Sequence, residues 1–425
     1  MSRNTSKDDC HACDEYRQLT RREFVSRSTA TAVALSVPAW LPRVTYAQSA
    51  SSSDVLISIF LRGGADGLTL VAPWGEAAYY SLRPTLAIPA NAALALDGFF
   101  GFPPAMAALL PAYQSGQLLV VHATGSTDPS RSHFDAQFFM EIGKPGDLNV
   151  VTGWLGRHLA SRPPVKVDAA LRGLGFAFGL PQTLVGGPDT LPIPDPANFG
   201  LSGNSSTRTQ RLAWLGTAYQ TERDPLRTAA MNTQRTINTL SALNISGYVP
   251  AGGAVYPGGS FGAALRSTAA LIRADMGVEA VQIDLGGWDT HSAQGPITGS
   301  MAATMTQFAQ AIGAFHADMN AANRINNVTL IVCSEFGRVA RENASQGTDH
   351  GHGNVMFVMG GAVRGGRVMT AWPGLAAGQL YQNQDLQVTV DYRDILAETV
   401  LRRLGNTNLD LVFPGFTPTM RGVFV

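Results

Sequence analysis

Lysine is nearly absent: Lys7, Lys144 and Lys166 are the only three in 425 residues, so the cationic surface is almost entirely arginine. Basic and acidic side chains balance at 31 each. That balance leaves no footprint for nucleic acid and none for an anionic membrane surface. Cysteine is equally scarce. Cys10 and Cys13 form a C-x-x-C, but both stand ahead of an arginine pair in a segment that reads as removable, so neither a redox nor a zinc role is expected of them. Cys333 then has no disulfide partner and reads as a small core hydrophobe. Past residue 47 no apolar run reaches membrane-spanning length, so no stable membrane insertion is expected. The glycines around Asp66 lack the G-x-G-x-x-G spacing, which disfavours a nicotinamide or flavin fold. What is abundant is apolar: 45% of the chain is hydrophobic and 15% charged, enough for a large core in one big domain or two smaller ones.

Residues 1–47 order themselves as an export segment. Thr20-Arg21-Arg22-Glu23-Phe24-Val25 sets an arginine pair before a mildly apolar stretch, Ser28 to Leu41, and Thr45-Tyr46-Ala47 or Gln48-Ser49-Ala50 could end in cleavage. This resembles a twin-arginine signal, which implies the export machinery as a partner and a periplasmic or secreted product. Its removal takes seven of the 31 basic and five of the 31 acidic residues, leaving 24 against 26.

In the remainder, residues 48–425, four apolar runs end in chemistry-bearing residues. The run to Leu61 is followed by Arg62-Gly63-Gly64-Ala65-Asp66-Gly67. The run Leu118 to His122 leads into Thr127-Asp128-Pro129-Ser130-Arg131-Ser132-His133 and a helix start, where free N–H groups and a positive dipole end favour an anion or an incipient alkoxide. Ala280 to Leu285 is followed by Gly286-Gly287-Trp288-Asp289-Thr290-His291. Val328 to Val332 is followed by Ser334, Glu335 and Arg338, then by Asp349-His350-Gly351-His352 and a further apolar run, Val355 to Met359. Strands alternating with helices, such as the stripe Met305, Phe308, Ile312, Phe315 and Met319 at steps of 3, 4, 3 and 4, imply an α/β fold with a doubly wound, mostly parallel sheet. Sites in such sheets lie beyond the strands' carboxyl ends. Residues 186–259, rich in Pro, Gly, Asn and Ser with two helix-like stretches, read as an inserted cap over that edge.

Together RGGADGL, DPSRSHFDAQ, GGWDTH, SEFGR and GTDHGHGN resemble the exported bacterial family known as domain of unknown function 1501, similar in fold to the alkaline phosphatase and sulfatase superfamily. The resemblance implies a metal-dependent hydrolase of small phosphate or sulfate esters. It implies Asp66, Asp289, His291, Glu335, Asp349, His350 and His352 as candidate ligands of a divalent ion (Zn, Mn or Ca). Ser132 is the implied hydroxyl nucleophile, with Thr127 and Ser130 as rivals, and Arg131 or Arg338 would grip the anion. Where relatives read Asp-His-Gly this chain has Glu335-Phe336-Gly337, so one ion is expected rather than two. The competing expectation is a non-catalytic exported binding or assembly protein with a degraded metal site.

Overall fold

The computed structural model describes residues 54–425 apart from residue 168; the expected export segment lies outside the described residues. The described residues begin with β1 (Val55–Leu61) and reach β2 (Leu118–Gly125), α1 (His133–Ile142) and α2 (Trp154–Ala160). Two short strands follow, β3 (Gly173–Gly175) and β4 (Thr190–Pro192), then the helices α3 (Arg208–Gln220), α4 (Leu226–Leu243) and α5 (Ser260–Arg273). The second half runs β5 (Ala280–Leu285), α6 (Ser300–Ala321), β6 (Val328–Ser334), β7 (Asn354–Met359), β8 (Arg367–Met369), β9 (Val390–Asp391) and α7 (Tyr392–Arg402).

Among the described residues nine strands share one sheet in the order β8-β2-β7-β6-β1-β5-β3-β4, with β9 also pairing β2. β1 lies between β5 and β6, parallel to both, with Ile57 beside Val281 and Leu330. β7 is antiparallel to both neighbours, β2 and β6, while the other pairings of this sheet are parallel. The fold is therefore α/β with a doubly wound, mostly parallel sheet.

The strands read as near-continuous apolar runs because both faces are covered. Ile57, Ile59, Val328, Leu330, Val120 and Phe357 face the core built with α5 and α6. Leu56, Phe60, Ile331, Leu119 and Val358 face the one built with α2 and α7. Met305, Phe308, Ile312, Phe315 and Met319 of α6 are all fully buried, and burial of each such side chain contributes about 1.5–3 kcal/mol. Cys333 is buried in the second core, where burial pushes its thiol up to about 12. It is an inert core residue.

Residues 186–259 contain the two expected helices but do not sit where a cap over the carboxyl edge was expected. The first part extends the sheet as β4. Asn232 and Thr236 of α4 bond Asp189 and the Ala170 carbonyl, ahead of β4 and β3. Tyr248, Ala251 and Tyr256 all donate to the buried Asp318 carboxylate near the carboxyl end of α6. These contacts lie at the amino edge of the sheet.

Candidate metal centre

β1, β2, β5 and β6 run in one direction, so the loops that follow them open at one edge; β7 runs oppositely, so the loop that precedes it reaches the same edge. That loop pairs with the one after β6. Gly351 N donates to Gly337 O, Gly337 N to His352 O and Val339 N to Asp349 O. The approach is so close that a Cβ on Gly337 would stand 1.9 Å from Gly353 O, and one on Gly351 2.3 Å from the Arg338 carbonyl carbon. Only glycine fits at either place.

Three imidazoles and one carboxylate converge at this edge. Ligand atoms of His133, Asp289 and His350 lie within 4.8 Å of one another. His350 Nε2 is 3.1 Å from Asp289 Oδ1 and 3.0 Å from His291 Nε2, and His291 Nε2 is 2.9 Å from the same Asp289 oxygen. His133 Nε2, buried and without a hydrogen-bond partner, is 3.5 Å from Asp289 Oδ2. The opposite nitrogen of every ring has its own acceptor: His133 Nδ1 faces Glu335 Oε1 at 2.8 Å, His350 Nδ1 the Arg131 carbonyl at 2.9 Å, and His291 Nδ1 Asp349 Oδ1 at 3.0 Å. A ring that gives its Nδ1 proton outward turns its Nε2 lone pair inward, the arrangement of metal-bound histidine. The residues thus fit a divalent ion, with one buried orphaned nitrogen aimed at its place.

Charge follows the same geometry. Burial opposes ionisation of Asp289, but the facing His133 ring, the His291 and His350 imidazoles and the Arg338 charge outweigh it and hold the carboxyl well below its usual range. Burial likewise opposes a charge on His133, yet Asp289 and Glu335 push its pKa up to about 9. Asp289 raises His291, while burial lowers His350. The carboxylates thus favour a proton on His133 and His291 but not on His350.

Several expected ligands serve other purposes. Glu335 is 1% exposed; its Oε1 accepts from Gly63 N, Gln137 Nε2 and His133, and its Oε2 from Ser334 Oγ. It orients a ligand and has no oxygen to spare. Asp66 is fully buried against Arg83, Thr69 and Gln294; burial raises its pKa, but Arg83 wins and holds it low. Through Gln294, whose Oε1 accepts from Thr290 and Thr348, it braces the loop from behind. Asp349, with a side chain 61% exposed, orients His291. His352 stacks on Tyr381 with ring centroids 4.4 Å apart, away from the cluster.

The expected anion grips are largely engaged. Arg338 is 1% exposed and donates to the carbonyls of Gly63, Gly64, Thr348 and Trp288 and to Asp289. No donor edge is left for a substrate. Arg131 Nη2 is pinned by the buried Asp385 at 2.5 Å, while its side chain stays 34% exposed. Of the hydroxyls, exposed Thr127 faces Arg393 and Ser130 Oγ accepts from Ser132 N. Ser132 occupies the N-cap position of α1 with its side chain unused for capping, one residue before His133.

His133 belongs to this cluster, although its sequence motif points first to the neighbouring serines. The available signal was Gln137 four residues on, which places both side chains on one face of the helix.

No curated protein matches the chain. Similar solved structures include Ps i-CgsB in complex with k-i-k-neocarrahexaose, at 10% identity and TM-score 0.40, covering 87% of this chain and 75% of that one. Alkaline phosphatase from the Antarctic bacterium TAB5 aligns at 10% identity and TM-score 0.29, covering 75% and 95%. Phosphonate monoester hydrolase from Silicibacter pomeroyi aligns at 10% identity and TM-score 0.32, covering 86% and 78%. Likenesses this distant say nothing of the chemistry of this chain, which its own side chains must decide. Residues 260–410, which supply Asp289, His291 and His350, match the family model described as Protein of unknown function (DUF1501).

Proposed function

We propose that this chain is an exported, metal-dependent hydrolase of small phosphate or sulfate esters, sent to the periplasm or beyond by the twin-arginine machinery. The observation that carries the reading is the convergence of His133, His291 and His350 Nε2 on the Asp289 carboxylate, which is itself 40% exposed and so open to a substrate. Three imidazoles and one carboxylate suit zinc best among the expected ions and calcium least, since calcium takes six to eight oxygens. One ion is proposed rather than two, because both Glu335 oxygens already have donors and the Asp66 carboxylate is paired with Arg83. When bound, the ion supplies a Lewis acid for a phosphoryl or sulfuryl oxygen.

The chain's own groups would do the rest. Ser132, at the amino end of the ten-residue α1, is the leading nucleophile. The first-turn amides of α1 favour negative charge beside it. Arg131, pinned on one edge by Asp385, offers the remainder of its fork to the anion. Among the described residues no helix is long and apolar enough to cross a membrane.

The test is turnover of aryl phosphates and sulfates by zinc-loaded protein. Ser132→Ala is expected to lower kcat at least ~100-fold with metal content intact, whereas His350→Ala loses metal and activity together. Wild-type protein that holds zinc but turns over neither ester would instead favour the second reading, an exported binding or assembly protein. The saturated Arg338 and the half-occupied Arg131 are what speak for it.

A further inference from the structure

We infer that Gln137 and Arg62, which are not among the four proposed ligands, are positioning residues for the metal centre: they decide which nitrogen of His133 faces it. The inference rests on the metal-centre reading above and adds the groups that set it. Gln137 Nε2 stands 2.8 Å from Glu335 Oε1, and Gln137 Oε1 stands 3.2 Å from Arg62 Nη1. An amide has two faces, and guanidinium has only donors. Turning the Gln137 amide over would set its oxygen against the Glu335 carboxylate and its NH2 against Arg62, two repulsions at once. Arg62 therefore chooses the amide orientation.

Arg62 is itself immobilised. Nε donates to Asp284 and Nη2 to Glu141, 2.9 and 2.8 Å away, and the guanidinium lies 4.3 Å from the centre of the Phe60 ring. With the Gln137 amide N–H and Gly63 N both directed at Oε1, Glu335 meets His133 as an acceptor only. Its partner, His133 Nδ1, must then be the protonated nitrogen of a neutral ring. Nε2, the buried nitrogen with no partner, is left with its lone pair toward Asp289 and His350. A cation at the end of β1 thus sets one nitrogen at the start of α1 through an amide four residues along that helix and a carboxylate after β6.

A purely structural role for Gln137, tying α1 to Arg62, makes the opposite forecast for one substitution. Gln137→Glu pairs with Arg62 at least as well, but sets a second carboxylate against Glu335. The affinity of purified protein for Zn2+ alone, by competition with a chromophoric chelator, is expected to fall about 10–100-fold in Gln137→Glu, the usual cost of losing an outer partner of a ligand. Gln137→Met, which only removes the donor, should lose about 10-fold. Nitrogen-15 NMR of the metal-free protein in alkaline buffer, where the ring is neutral, should show His133 protonated at Nδ1 in the wild type and shifted toward the other tautomer in Gln137→Glu. Zinc affinity within about twofold of wild type in Gln137→Glu, with the Nδ1 tautomer kept, overturns the inference. Wild-type protein that takes up no zinc would end the metal-centre reading, and the tautomer measurement would still decide whether the relay exists.

Discussion

Asp289→Ala is expected to weaken zinc binding about 100-fold or more and to leave the protein folded. Binding free energies of structural zinc sites run to roughly 10–16 kcal/mol over four ligands, so one ligand is worth on the order of 3 kcal/mol, or about two powers of ten. Asp289 should sit at or above that share, because its carboxylate touches His291, His350, His133 and Arg338. Its partial exposure makes the fold tolerant of the loss. His352→Ala is the matched control: that ring stacks on Tyr381, and its removal should leave zinc affinity within about twofold. Chelator competition on both variants measures the difference, and equal losses would mean that the cluster is not the binding site.

Arg338→Met is expected to cost about 3–5 kcal/mol of stability, the range for removing one partner of a buried ionic contact. That is a large share of the ~5–15 kcal/mol that holds a protein folded. The reason lies in what the guanidinium satisfies. The carbonyls of Gly63, Gly64, Thr348 and Trp288 come from the loops after β1 and β5 and the one before β7, and Arg338 closes all three around itself. Methionine fills the volume and leaves these acceptors orphaned, each at about 1–3 kcal/mol if water cannot reach it. Lysine should not rescue, since one ammonium cannot span the planar fork. Denaturant unfolding of metal-free protein is the measurement; a change under 1 kcal/mol would return Arg338 to the list of available anion grips.

Long apolar runs were readable from composition alone. The five that carry β1, β2, β5, β6 and β7 lie where strands form, because residues buried on both faces leave no ambiguity of period. Short strands left no such trace. β3 is Gly-Leu-Gly and β4 ends in proline, so neither has a pattern longer than a turn.

The site divided along similar lines. That acidic and imidazole residues follow four strands was visible, and so was the edge they share. Which way each side chain points was not. Glu335 stands at a ligand's address in the motif, but Gly63 N, Gln137 and His133 converge on its oxygen from parts of the chain 198 to 272 residues away. Asp66 is paired with Arg83, a partner that no strand-end motif contains. Between His350 and His352 the spacing is symmetrical, and only the pairing of the two loops, with the Arg131 carbonyl at His350 Nδ1, separates ligand from stacking ring. His133 was concealed by Ser132, whose type suggested chemistry first.

One divalent ion held by His133, His291, His350 and Asp289 is what the proposed function requires. Zinc K-edge X-ray absorption on protein titrated with Zn2+ tests it most directly. One ion per chain is expected, with three nitrogens and at least one oxygen at about 2.0–2.2 Å. Protein that takes up no zinc, or a spectrum of oxygen ligands alone, would contradict it.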